Sequence, residues 1–158
     1  MTTSTSGPAG TVSRTVQVAA PAERVWALVS DLPQMGAHSP ENAGGRWLGS
    51  PGPVVGARFK GANRRGLRRW STLATVTRCE PGRVFAFRVG ALGLPVAEWS
   101  YEIEPSADGC QVTESWQDRR GALLRRTAGI LTGVGDRGSF TAQSIERTLA
   151  SVKAHAEA

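Results

Sequence analysis

The 158-residue chain predicts an α+β fold in which about six to seven antiparallel strands form one sheet and a single long C-terminal helix covers it. Three observations lead there. Between residues 11 and 118 a series of short segments alternates apolar and polar side chains with period two, separated by Pro/Gly-type turns. One segment directly after the first of these changes to helical spacing. From Ser139 to near the end, Ala142, Ile145, Leu149, Val152 and Ala156 recur every three or four residues.

The first strand is "TVSRTVQV", where Val12, Arg14, Val16 and Val18 alternate with Ser13, Thr15 and Gln17. Pro21 then suits the first turn of a helix, and Ala22, Val25, Trp26 and Val29 form its apolar face until Asp31 and Pro33 end it. "LPQMGAHSPENAGG" has room for one further short helix. "RWLG" and "ARFKGAN" are short strands around a Pro/Gly turn, and "WSTLATVTRCE" is a long one rich in Thr and Val. "RVFAFRVG" follows a Pro-Gly turn. In "VAEWSYEIEP", Ala97, Trp99, Tyr101 and Ile103 oppose Glu98, Ser100, Glu102 and Glu104. "SADG" marks a hairpin into "CQVTESWQD", with Val112, Glu114 and Trp116 in one phase. "RRGALLRRTAGILTGVGDRG" has an apolar step at Leu124, Ala128 and Leu131, followed by Gly133, Gly135 and Gly138: a short helix and a flexible hinge. The final helix is expected to span about 18 residues, about 27 Å at the α-helical rise. Strands joined by short turns must be antiparallel, and the long amphipathic helix is the one element large enough to cover their apolar face.

Bulk properties narrow the function. Apolar residues make up 40% and charged residues 20% of the chain, as in an ordinary soluble domain. The expected organisation is a disordered N-terminus over residues 1–10 and one domain over 11–158. The opening "MTTSTSGPAG" carries no signal-peptide pattern. No apolar run approaches the roughly 20 residues of a membrane span. Cys79 and Cys110 form no metal-ligand spacing, and two lone thiols suit a reducing cytoplasm. There is no Gly-x-Ser-x-Gly, no phosphate-binding glycine loop and no metal cluster, so no metal and no cofactor are expected.

The order of elements and several segments resemble the START-like, helix-grip superfamily, specifically its polyketide cyclase/dehydrase-like branch, also called SRPBCC. "PAERVWALVSDLPQMGAHSPE" looks like that branch's first strand-to-helix crossing and the loop after it. "WLGSPGPVVGARFKGANRRG" and "RRWSTLATVTRCEPGRVFAFRV" look like its second to fifth strands, "WSYEIEP" and "VTESW" like the sixth and seventh, and "RTLASVKAHAE" like its C-terminal helix. The resemblance runs from about residue 12 to 156. It implies a curved sheet gripping the long helix, two short helices after strand one, and an apolar cavity between sheet and helix. It says little about function, because the superfamily includes lipid carriers, hormone receptors and cyclases.

Phe59, Asn63, Trp70, Thr72, Phe85, Phe87, Trp99, Tyr101, Glu114 and Trp116 share the inward phase of the strands, and Ile145 and Leu149 face them from the helix. These twelve are the candidate ligand-binding residues, an aromatic and aliphatic set with few polar groups. Such a set also describes a plain core. Glu114 points inward with its neighbours in phase, so its carboxylate must be paired or protonated. Asn63 and Arg64 or Arg65, near the cavity mouth, are the expected partners, and Glu114 is either a polar anchor or general acid/base for a ligand or half of a buried structural salt bridge. Tyr101 is the second catalytic candidate, able to donate to a ligand carbonyl; the alternative is a core tyrosine whose hydroxyl reaches water. His38 lies in a loop able to close over the pocket, or is simply exposed. His155, in the last helical turn, suits the helix dipole.

"KGANRRGLRRW" places Arg64, Arg65, Arg68 and Arg69 around Gly66 at a hairpin tip, with Lys60 facing outward on the strand before it, and Arg119, Arg120, Arg125 and Arg126 flank "GALL". With a net charge of +6, these clusters suit a solubilising face, an anionic ligand, an acyl carrier or a membrane surface. Peripheral membrane contact is assigned to Arg64, Arg65, Arg68 and Arg69. Nucleic acid is excluded as a partner, since no helix-turn-helix or stacking platform accompanies the charge. The expected state is a monomer or homodimer. Three functions follow: a binder of a hydrophobic lipid-, polyketide- or aromatic-like molecule, a polyketide cyclase/dehydratase using Glu114, or an arginine-based docking module.

Overall fold

The computed structural model describes residues 3–6, 10–132 and 136–158. One antiparallel sheet runs in the order β1-β2-β8-β7-β6-β5-β4-β3. Its strands are β1 (Thr3–Ser6), β2 (Thr11–Val18), β3 (Asn42–Leu48), β4 (Arg58–Arg65), β5 (Arg68–Glu80), β6 (Val84–Ala91), β7 (Leu94–Ser106) and β8 (Gly109–Asp118). Between β2 and β3 come α1 (Ala22–Ser30) and a 3-10 helix (Leu32–Ala37), the two short helices expected. After β8 come α2 (Ala122–Thr132) and α3 (Arg137–Glu157).

Thr3–Ser6 lies within the stretch expected to lack structure, yet it pairs with β2, Thr3 opposite Thr15 and Ser6 opposite Val12. The pairing uses backbone groups along the edge of β2, so the absence of an apolar pattern in "TSTS" does not reveal it. The expected hinge glycines Gly133 and Gly135 lie outside the described residues. Gly138 is inside the first turn of α3, which begins two residues earlier than its apolar pattern because Asp136 caps it. The Asp136 carboxylate accepts from Ser139 N at 3.2 Å and from Ser139 Oγ at 2.6 Å.

Helix α3 lies across the inner face along β2. Arg14 Nε reaches Glu146 Oε1 at 3.0 Å, Lys153 Nζ donates to the Gln17 carbonyl at 2.7 Å, and Ala19 N donates to Glu157 Oε1 at 2.7 Å. Between these polar clamps Ile145, Leu149, Val152 and Ala156 are buried, as their spacing predicts. Helix α1 seals the same end of the sheet with Val25 and Val29, and Trp26 donates from Nε1 to the Val84 carbonyl at 3.1 Å. Phe85, Ile103, Val112 and Val18 complete this half of the core. The other half of the inner face, toward the N-terminus of α3, is where a cavity remains.

Register shifts at Val76/Arg78 and Val89/Gly90 mark bulges in the long central strands, which let them bend around the helix. No helix among the described residues is long and apolar enough to cross a membrane.

The tight β7–β8 hairpin rests on Gly109, at φ +139° with a Cβ position that collides with the Val18 carbonyl oxygen and Ala20 N. Gly109→Ala is expected to lower stability by about 3 kcal/mol, measured by urea unfolding.

Candidate ligand cavity

The cavity measures about 440 Å³ and opens between the 3-10 helix, the two hairpin tips β4–β5 and β6–β7, α2 and the first turns of α3. Nine of the twelve candidate residues line it: Phe59, Asn63, Trp70, Thr72, Phe87, Trp99, Tyr101, Glu114 and Trp116. The pleat and register explain the grouping. Phe87 stands opposite Trp99, Trp99 opposite Trp116, and Tyr101 opposite Glu114, so one inward row crosses three adjacent strands. Asn63 Nδ2 donates to Thr72 Oγ1 at 3.1 Å on the neighbouring pair of strands.

Phe85, Ile145 and Leu149 do not line the cavity. They are inward as expected, but they lie in the half of the sheet that α1 and the C-terminal part of α3 close, and they are core residues. Phe85 packs against Phe87 with ring centroids 5.6 Å apart. Trp47 also stays outside the lining, half-buried edge-on to Phe59 at 5.3 Å.

Glu114 is 1% exposed, as is Tyr101. The Tyr101 hydroxyl donates to Glu114 Oε1 at 2.8 Å, while Oε2 has no hydrogen-bond partner among the described residues. This overturns the expected partners and the expected water contact of Tyr101. Arg64 and Arg65 are exposed at the hairpin tip, and Asn63 is spent on Thr72. Arg14, directly across from Glu114 on β2, turns away to Glu146 on α3. Burial without a cation raises the Glu114 carboxyl to about 8, and the Tyr101 hydrogen bond offsets only part of that. The Tyr101 hydroxyl is raised well above its ordinary value by burial and then by Glu114. Near neutrality both groups are therefore protonated. With Oε1 accepting from tyrosine, the acidic proton belongs on Oε2.

The helix side of the cavity was read as an apolar stripe, yet the hydroxyl residues Thr141, Ser144 and Thr148 line it. Their i, i+3, i+7 spacing was available in the sequence beside the Ile145–Leu149–Val152 stripe. Thr148 satisfies its own hydroxyl by donating to the Ser144 carbonyl at 2.9 Å. Leu32 and Met35 of the 3-10 helix also contribute apolar wall. At the mouth, Arg137 Nη1 binds both Glu41 oxygens at 2.9 and 3.2 Å, and Arg120 binds both Asp118 oxygens at 2.9 and 2.8 Å. His38 does not reach the cavity. It is buried against α3, with Nδ1 3.0 Å from Ser151 Oγ and the His155 ring edge-on at 4.8 Å. Burial, and then the charge of His155, lowers its pKa.

The buried carboxyl sets a pH dependence. An unfolded glutamate ionises near 4.5, whereas folded Glu114 keeps its proton to about 8. The native state thus binds the extra proton between those values. Its contribution to stability is complete below about 4.5 and is lost as pH rises toward 8, with a slope approaching about 1.4 kcal/mol per pH unit. Glu114→Gln is expected to flatten that slope and to be more stable than the parent at pH 9, as read by denaturation across pH 5 to 9.

A family model described as polyketide cyclase / dehydrase and lipid transport matches residues 9–157. None of the curated proteins compared matches the chain. Among solved structures, the Polyketide_cyc-like protein Cgl2372 from Corynebacterium glutamicum is 30% identical, with a TM-score of 0.64 over 90% of this chain and 88% of that one. The di-domain ARO/CYC StfQ of the steffimycin biosynthetic pathway is 15% identical, with a TM-score of 0.74 over 94% of this chain and 50% of that one. DR_A0006 from Deinococcus radiodurans is 19% identical, with a TM-score of 0.67 over 93% and 97%. With nearly its whole length matched and its strands and long helix in the helix-grip arrangement, the chain belongs to the polyketide cyclase / dehydrase and lipid transport family.

Proposed function

We propose that the protein binds a hydrophobic small molecule, lipid-, polyketide- or aromatic-like, in the cavity between the sheet and the N-terminal half of α3. The observation that carries this reading is the cavity's lining: mostly aromatic and aliphatic walls around the buried, neutral Glu114 carboxyl, whose Oε2 lacks a partner among the described residues. An apolar wall supplies affinity without direction. A lone protonated carboxyl supplies direction, because it offers a hydrogen to one acceptor, such as a ligand carbonyl, and leaves an unsatisfied polar group when that acceptor is missing. Cys79 and Cys110 are free thiols, which suits a reducing compartment, and the cytoplasm is the proposed location.

The Glu114–Tyr101 pair favours a second reading, a cyclase or dehydratase acting on a polyketide-like substrate. The ARO/CYC proteins StfQ and BexL share the fold at 15% and 16% identity. In this reading Glu114 is the general acid: it protonates a carbonyl or leaving hydroxyl oxygen and then takes a proton back, while Tyr101 holds Oε1 and so fixes which oxygen carries the proton.

Native mass spectrometry of the freshly purified protein, followed by organic extraction, tests for a retained ligand. Titration with an apolar fluorescent probe tests the cavity itself. Ser144→Phe, which fills the cavity from α3, is expected to weaken probe binding at least about tenfold while the protein still unfolds cooperatively. Unchanged probe affinity in that variant places the probe elsewhere and sinks the cavity reading. Once a ligand is identified, Glu114→Gln separates the two functions. An enzyme loses turnover and keeps most of its affinity, whereas a carrier shows no turnover in either form.

A further inference from the structure

Three separate elements converge on the mouth end of the sheet, and each carries an aliphatic side chain into solvent. The β4–β5 hairpin holds Leu67, fully exposed between Arg64–Arg65 and Arg68–Arg69. The β6–β7 hairpin holds Leu92, 98% exposed, at a φ of +52° that leucine rarely adopts. Helix α2 holds Leu123 and Ile130, exposed and seven residues apart on one face, with Arg126 between them. The strand register puts these on one side of the molecule. Arg65 pairs with Arg68 at the first tip and Ala91 with Leu94 at the second, at the same end where β8 finishes opposite Ala97 and α2 begins. Arg69, Leu92 and Leu124 also line the cavity, so the rim surrounds its opening.

The charge of this rim is one-sided. Its acids are engaged: Glu41 with Arg137, Glu98 with Arg119 and Arg88, Asp118 with Arg120 and Arg125, and Asp136 as the cap of α3. Arg64, Arg68, Arg69 and Arg126 have no acidic partner among the described residues. A single exposed leucine needs no explanation. Several of them, on three elements, interleaved with cations around an apolar opening, match the composition that lies in a membrane interface, where apolar tips enter the acyl boundary and arginines hold phosphates. A second copy of this chain fits poorly, because it sets one cationic rim against another. Nucleic acid fits poorly as well, because the exposed apolar groups are aliphatic and offer no stacking face.

We propose that this end of the molecule docks on anionic membranes, with Leu67, Leu92, Leu123 and Ile130 at the headgroup–acyl boundary and Arg64, Arg68, Arg69 and Arg126 on lipid phosphates, so that the cavity opens toward the bilayer. The proposal stands on the rim alone and does not require the cavity to be occupied.

The test is co-sedimentation of the full chain with vesicles of phosphatidylcholine alone or mixed with phosphatidylglycerol, over a range of salt. Binding to the mixed vesicles that weakens with salt is expected. Arg64→Gln and Arg68→Gln together are expected to weaken it, by about fivefold for each arginine removed, and to reduce its salt dependence. The triple variant Leu67→Ser, Leu123→Ser, Ile130→Ser is expected to weaken it at least about tenfold and to leave apolar-probe binding in solution unchanged. Absence of binding to the mixed vesicles at low salt overturns the proposal, and so does equal binding to pure phosphatidylcholine. Binding that the triple variant leaves intact also overturns it, since that outcome describes adsorption by charge without insertion. Probe binding without vesicles reports on the cavity separately, so failure of one reading is distinguishable from failure of the other.

Discussion

A curved sheet with one apolar face must be covered, and here a single helix does most of the covering. That mismatch of shapes organises the molecule. A helix is a rod about 10 Å wide, whereas the inner face spans eight strands. Helix α3 is clamped at β2 through Glu146, Lys153 and Glu157, and with α1 it closes one half of the concave face into a packed core. The other half stays open because the 3-10 helix, α2 and the first turns of α3 border it without filling it. The cavity is thus the space left when a rod is pressed into a trough, and the side chains around it are those that the same strand alternation would otherwise place in a core.

Within that space the Tyr101–Glu114 pair stands out energetically. A carboxylate buried without a cation is too costly to persist, so the group stays protonated, and what was an acid becomes a hydrogen-bond donor. Tyr101 is placed by register directly across the β7–β8 pair and occupies one oxygen. The fold therefore presents a buried carboxyl with one unpartnered oxygen among the described residues in a mostly apolar chamber. Positioning of this kind serves recognition of a carbonyl and protonation of one equally well, which is why binder and enzyme readings share a site.

The mouth differs from the interior in the sign and cost of its charges. Arg137–Glu41 and Arg120–Asp118 tie the start of α3 and the end of β8 to their surroundings with paired, mostly shielded groups. Farther out, at the hairpin tips and on α2, Arg64, Arg68, Arg69 and Arg126 stand in water without acidic partners among the described residues, beside exposed leucines. Charges are neutralised where burial makes them expensive and left single where solvent makes them cheap. The result is a neutral chamber behind a cationic, apolar-studded rim.

Much of this was legible in the residues. Period-two alternation, with turn signals and Thr/Val content, pointed to about six to seven strands and gave the phase of most inward rows, and Val112, Glu114 and Trp116 are all buried as their spacing requires. The stripe through Ile145, Leu149, Val152 and Ala156 located the covering helix. Phase, however, says only which face a side chain takes, and it gives no position along the strand. Phe85 and Phe87 share one phase, yet one is core and the other cavity wall, because the boundary between them is set by where α1 and α3 happen to close on the sheet. For the same reason the partner of Glu114 could not be read in advance. Arg14, across from it on one side, leaves for α3, and Tyr101, across from it on the other, stays. Alternation along each strand is local chemistry, and the sequence determines it alone. Which of two equally inward groups meets a helix, a neighbouring hydroxyl or empty space depends on contacts between residues far apart in the chain, and only the tertiary structure decides them.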